Sequence, residues 1–412
     1  MNVPTPARDG LRRLLLALLF SEFGFRIMVL AIPLIAVTEL HATPLQISVI
    51  AACQTGAFLL VGLPSGAIVD RLRRRRVMVV SDLVRAAVLV TLPLMWLSGG
   101  MSVPYLCVAS IALGVCTVFF DVANQTYLPR LVGPDQLVAA NSRLVVIDSV
   151  AGTLGPGAGG LLIERLTAPF ATVLGVAGWL WSALCVSRIR DDDPKPERRA
   201  DTHLRRDIAD GVRAIVTDPL LRPIALCSTT LTFFWAVAGT MLIVLMAGTL
   251  GATATTIGVV FAVGNAGGIA ATLVVRRLID RVGDGVAIRW SIAVCGPCTL
   301  LAPLAGPGWR VWLIAAASFA LSAGLVVYNV AQVSYRQRTV PADLLGRVNA
   351  TIRFFAWGAR PLGALCGGLI AAVLGIRCAV WVGAAGTSLS ALWLYLSPLR
   401  TLRHLPVPAG TP

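Results

Sequence analysis

Residues 120–162 recur without a gap as residues 328–370, an offset of 208 positions, and 14 of the 43 aligned pairs are identical. The identities include Tyr127/Tyr335, Arg130/Arg338, Asp135/Asp343, Asn141/Asn349, Gly155/Gly363, Gly159/Gly367 and Gly160/Gly368. A match of this length and density is a duplicated unit, so the chain must fold as something that a domain and its copy can share.

The solvent for that fold is lipid. With 57% hydrophobic and 13% charged residues over 412 positions, the composition lies outside the soluble range. Crossing about 30 Å of hydrocarbon takes roughly 20 apolar residues as a helix. Such runs occur at 12–38, 45–69, 77–98, 103–126, 138–163 and 169–187, and again at 223–249, 254–278, 285–305, 310–333, 347–374 and 378–397. The runs are continuous rather than alternating, and lipid offers backbone groups no partners, so helices are predicted and a barrel is not. The expected fold is an all-α membrane protein of 12 transmembrane helices in two six-helix halves related by a pseudo-twofold axis. Its expected parts are residues 1–187, a first bundle; 188–222, a cytoplasmic linker; and 223–412, a second bundle with a short tail. The first run follows Arg8, Arg12 and Arg13, but it is too long for a signal peptide and reads as a retained span.

Basic residues orient the chain, because cytoplasmic loops collect Lys and Arg. Arg71, residues 73–76, the basic residues between 188 and 222, Arg276, Arg277, Arg281, Arg336, Arg338 and Arg347 fall on one side, whereas Arg165, Arg310 and Arg377 fall on the other. Both termini are therefore expected in the cytoplasm. The net charge of +15 follows from this asymmetry and requires no nucleic-acid partner. Within the linker, Leu204, Ile208, Val212 and Ile215 recur at helical spacing among charged residues. That pattern predicts a short amphipathic helix on the inner membrane surface.

Several chemistries have no residues to carry them. The lone lysine, Lys195, lies in the proline-containing linker, so no P-loop exists. The three histidines are far apart, the nine cysteines are scattered through spans, and Cys295-Gly-Pro-Cys298 sits in an apolar segment, so neither a metal centre nor a cofactor site is expected. Without a Gly-x-Ser-x-Gly elbow a hydrolase has no nucleophile. The chain is not expected to be an enzyme.

Two motifs remain. Between spans two and three lies Gly66-Ala-Ile-Val-Asp70-Arg71-Leu-Arg73-Arg74-Arg75-Arg76, with an expected close helix approach at Gly66 and pairing between Asp70 and the arginines. On span five lies Gly155-Pro156-Gly157-Ala158-Gly159-Gly160, where proline removes a backbone donor and the glycines strip one helix face. The first resembles the cytoplasmic signature of the major facilitator superfamily, departing from it at Leu72-Arg73, and a decayed copy runs from Arg276 to Arg281. The second resembles that superfamily's antiporter motif, with Ala151 where a glycine is usual. Residues 120–143 and 328–353 look most like the drug/proton antiporter branch that contains macrolide, tetracycline and enterobactin exporters. The resemblance implies alternating access by two rocking halves and export rather than import.

Ionisable groups inside spans are functional candidates because hydrocarbon penalises them. Glu22 and Arg26, four apart on span one, are expected to pair. Asp148 on span five lies on the glycine face, where Arg360 of span eleven is expected to meet it. Glu22 and Asp148 are the proton-coupling candidates; a fixed structural pair is the alternative for Glu22 and Arg26. Asp82 and Arg85 are expected to brace the Asp70 loop. Asp121, Asn124 and Gln125, with Asn329 and Gln332, are expected at the cytoplasmic gate. Phe233, Phe234, Trp235, Asn265 and Trp357 are candidates for the walls of a substrate cavity. A largely apolar cavity with an acid suits amphipathic organic cargo. The expected function is thus a proton-coupled exporter of antibiotics, drugs or siderophore-like metabolites in the cell inner (plasma) membrane. Its partners would be a small-molecule substrate, protons and membrane lipids, and it would act as a monomer. An uncoupled facilitator or lipid transporter of the same fold, or a non-transporting sensor or scaffold, stays open.

Overall fold

The computed structural model describes residues 5–189 and 204–403, and those residues form helices and no strands. The first six helices are α1 (Thr5–Thr38), α2 (Pro44–Val69), α3 (Arg74–Leu97), α4 (Val103–Val132), α5 (Pro134–Leu166) and α6 (Ala168–Ser187). After α7 (Leu204–Thr217) come α8 (Leu221–Val244), α9 (Ala254–Val282), α10 (Asp284–Cys298), α11 (Trp312–Thr339), α12 (Ala342–Leu374), α13 (Ile376–Leu389) and the short α14 (Leu392–Tyr395). Among the described residues 12 helical segments are long and apolar enough to cross a membrane, and they coincide with the runs expected from sequence.

Local chemistry sets the helix ends. Thr43 caps α2 in a reciprocal box with Gln46, and Pro44 occupies the first turn, where no amide is needed. Gly133 alone separates α4 from α5, at φ +71, a backbone region that side chains disfavour. Thr167 separates α5 from α6 at φ +72 and ψ 157, and Gly375, 208 positions on, separates α12 from α13 at φ +92 and ψ 155. The duplication thus extends structurally beyond the segment in which sequence identity survives.

The chain divides into two compact units. The first holds α1–α6 and Met246–Ala262; the second holds α7, α8 and the chain from Val263 onward. Residues 246–262 therefore cluster with the first unit, although the sequence partition placed them in the second bundle. Inside the first unit α1 packs on α5 and α6, and α3 on α4 and α6; inside the second, α8 packs on α12 and α13, and α10 on α11 and α13. The two sets of neighbours correspond helix for helix, as a duplication requires. Each unit has its own buried apolar core, around Leu14, Met78 and Tyr127 in the first and around Ile224, Ile288 and Tyr328 in the second.

The helix expected within the linker forms as α7, which packs on α12 and α8. Ile215 is buried in the second unit's core, and a side-chain carbon at Gly211 would strike Thr351 Oγ1 and lie 3.0 Å from the Arg347 carbonyl. An Asp210–Arg347 ion pair at 3.1 Å completes the contact. The side chains of Leu204 and Ile208 lie outside the described set.

Candidate functional site

The first unit carries a three-residue charge cluster between α1 and α5. Glu22 and Arg26 share one face of α1 through their four-residue spacing, and the Arg26 guanidinium stands 3.6 Å from the Glu22 carboxylate. The same guanidinium donates to Asp148 Oδ1 at 2.5 Å. Side-chain exposures of 30%, 35% and 65% for Arg26, Glu22 and Asp148 show that protein covers the cluster only in part. Two carboxylates and one cation carry one net negative charge when both acids are ionised.

Glycines on α5 make this contact attainable. A Cβ at Gly155 would lie 2.7 Å from Arg26 Cβ, and one at Gly159 would lie 3.6 Å from Ile27 Cα. Gly152, one turn beyond Asp148, faces the guanidinium itself at 3.9 Å. The other side of the motif serves a different neighbour: a Cβ at Gly160 would strike the Ala254 carbonyl, and one at Gly258 the Pro156 carbonyl, both within the first unit. The repeat reproduces half of this design, because Gly363 and Gly367 of α12 back onto Phe233 and Val237 of α8.

Asp148 has a partner within its own unit, Arg26, that the sequence did not assign to it. Within the second unit Arg360 lies over the rings of Trp357 and Trp235, at 5.1 and 5.8 Å. Those three candidates are brought together in the second unit, where Trp235 also borders a small cavity with Leu242, Ser318 and Thr387. Phe233 and Phe234 meet edge to face at 5.1 Å, but the Phe234 ring is pressed onto Gly386 of α13 and so packs within the bundle wall. Asn265 is half-buried on α9, and Asp121 half-buried on α4.

The cytoplasmic motif differs in two respects. A Cβ at Gly66 would meet nothing within 4 Å, so the close helix approach expected there is not made. Asp70 pairs with Arg74 at 3.8 Å across the α2–α3 turn, Arg71 is exposed, and Arg75 donates to the Ile189 carbonyl. Asp82 and Arg85 do not brace that turn. They form a buried ion pair, Ser182 donates to Asp82 at 2.6 Å, and Arg85 lies over the rings of Phe120 (4.4 Å) and Trp179 (5.0 Å) and reaches Ser21 at 3.5 Å. This network ties α1, α3, α4 and α6 together one residue from Glu22. Sequence reasoning missed Ser21, Phe120, Trp179 and Ser182, since apolar and hydroxyl residues in a span carry no signal of which charge they will meet.

The family model of the Major Facilitator Superfamily matches residues 14–360. Among curated proteins, the chain is 27% identical over 393 residues to the multidrug efflux pump Tap of Mycolicibacterium fortuitum, covering 90% of this chain and 91% of Tap. It is 25% identical over 389 residues to the uncharacterized MFS-type transporter YfiS of Bacillus subtilis, covering 91% and 90%. Among solved structures, a bacterial homologue of the iron transporter ferroportin in an inward-facing state matches with a TM-score of 0.76 at 17% identity, covering 94% of this chain and 98% of that one. The nucleoside transporter NupG, as its D323A mutant, matches with the same TM-score at 10% identity, covering 94% and 99%. At such identities the structural matches establish the fold.

Proposed function

The chain belongs to the major facilitator superfamily of transporters, and within it we propose a proton-coupled exporter of amphipathic small molecules that works by alternating access. The observation that carries this reading is Arg26 held between Glu22 at 3.6 Å and Asp148 at 2.5 Å. A proton on either carboxylate neutralises the cluster and leaves Arg26 to the other acid, so protonation changes how strongly α1 is tied to α5. A bound proton with different affinities for two conformations shifts their populations, and that shift is the coupling. The Gly155–Gly160 face, which resembles an antiporter motif, supports the outward direction. Similarity to a multidrug efflux pump over most of both chains supports drug-like cargo. In this reading the cargo is moved without chemical change, the protein acts as a monomer in the cell inner membrane, and both termini are cytoplasmic.

The test is efflux of an amphipathic fluorescent dye from proteoliposomes under an imposed pH gradient. Glu22→Gln or Asp148→Asn is expected to insert normally and to lose the gradient-driven component of flux. Unchanged gradient-driven flux in both variants removes the coupling assignment. Wild-type flux indifferent to the gradient replaces the reading with an uncoupled facilitator.

A further inference from the structure

The second unit buries a cation that has no counter-charge. Arg336, near the C-terminal end of α11, is 6% exposed, and among the described residues it forms no ion pair and its Nε has no hydrogen-bond partner. One turn earlier Gln332 is 5% exposed, and its Oε1 is likewise buried without a partner. The Gln332 amide nitrogen is committed, donating to Asn329 Oδ1 at 2.8 Å. Residues 329, 332 and 336 share one face of the helix by spacing. The negative end of the α11 dipole favours a cation at this position, but a dipole accepts no hydrogen bond from Nε. Leaving both a buried donor and a buried acceptor unmet is a costly arrangement unless something else meets them.

The repeat sharpens the point. Arg336 stands opposite Leu128 and Gln332 opposite Asn124, whereas the neighbours Tyr335 and Arg338 are identical to Tyr127 and Arg130. The duplicated scaffold therefore forms in the first unit without a cation at this place. Arg336 is an addition specific to the second unit and not a demand of the fold.

We propose that Arg336 and Gln332 form a recognition site for an acid-bearing solute, a carboxylate or phosphate with a hydroxyl or N–H group beside it. The oxyanion accepts from the Arg336 guanidinium, whose planar fork suits such groups. The neighbouring O–H or N–H donates to Gln332 Oε1. This deepens and rests on the transporter reading, because it gives the amphipathic cargo a polar end of defined chemistry. The site belongs to α11 of the second unit and shares no residue with the Glu22–Arg26–Asp148 cluster of the first.

Binding is measured on the purified full-length protein in neutral detergent with no pH gradient, so the outcome is independent of the flux test for proton coupling. The probe is N-hexanoylglycine, whose carboxylate and amide N–H flank one carbon, compared with its methyl ester; the readout is the shift in thermal unfolding midpoint across a titration. Wild type is expected to be stabilised by the acid and not by the ester. Arg336→Gln is expected to weaken acid binding about tenfold or more, the loss of a charged hydrogen-bonding contact, while Arg277→Gln, at an exposed cation, leaves it unchanged. Gln332→Glu places a carboxylate one turn from Arg336 and is expected to raise the ligand-free unfolding midpoint while abolishing acid binding, a combination that misfolding cannot produce. Equal shifts from acid and ester, or undiminished acid binding in Arg336→Gln, overturn the proposal. A response to phosphatidic acid in mixed micelles with none to N-hexanoylglycine also overturns it, assigning the cation to a lipid headgroup.

Discussion

At Gly155 an added carbon would strike Arg26 Cβ at 2.7 Å, an atom fixed by the α1 backbone and unable to swing away. Gly157, two residues on, has room: its added carbon would sit 3.7 Å from Ala262 Cβ, an ordinary contact. Gly155→Ala is therefore expected to lower stability by about 1–3 kcal/mol through overpacking and to draw Arg26 away from Asp148, with Gly157→Ala nearly silent. Thermal unfolding of the two variants in detergent checks the difference; equal midpoints would show that the α1–α5 seam has slack. The pairing of Glu22 with Arg26 could be read from sequence because both ends lie on one helix at a fixed spacing. The attachment of Arg26 to Asp148 could not, since it spans 122 positions and depends on which faces of α1 and α5 meet. The reading of Gly66 failed for the same reason: a glycine announces room for a neighbour, but not that a neighbour comes.

The twelve long helices were legible because hydrocarbon imposes a length and a polarity that few other segments satisfy. Helix α7 was legible as a helix, but its contact with α12 was not. An apolar stripe looks the same whether it meets lipid or protein, and the cue for a close neighbour was Gly211, where a backbone can approach. Its docking is held by two unequal contacts. The Asp210–Arg347 pair, with side chains 35% and 40% exposed, contributes less than about 1 kcal/mol. The Gly211 contact is steric, against Thr351 Oγ1 and the Arg347 carbonyl. Gly211→Leu is thus expected to release α7 and expose its amides to hydrogen exchange, while Asp210→Ala leaves protection close to wild type. Exchange measured by mass spectrometry on peptides covering 204–217 decides this, and equal protection in both variants would mean that neither contact holds the helix.

At the scale of the molecule, duplication explains more than the identities in 120–162 and 328–370 suggest. The paired left-handed turns at Thr167 and Gly375 and the matching helix neighbours in each unit lie partly outside the aligned segment. Sequence identity decays where any apolar residue fills a core position, whereas turn geometry and helix order persist because they set the topology. What duplication leaves open is which side of the membrane each end occupies, and there the arginines carry the argument. A translocated loop tolerates few cations, so the segments holding Arg73 and Arg277 are expected inside and the one holding Arg310 outside; all three are exposed. In a chain whose nine cysteines are replaced, an impermeant maleimide added to intact cells should label Arg310→Cys and reach Arg73→Cys and Arg277→Cys only after permeabilisation. Because an even number of crossings separates residues 73 and 277, the two must agree with each other. Disagreement between them would break the count of spans, whereas joint labelling from outside would invert the orientation and with it the direction assigned to transport.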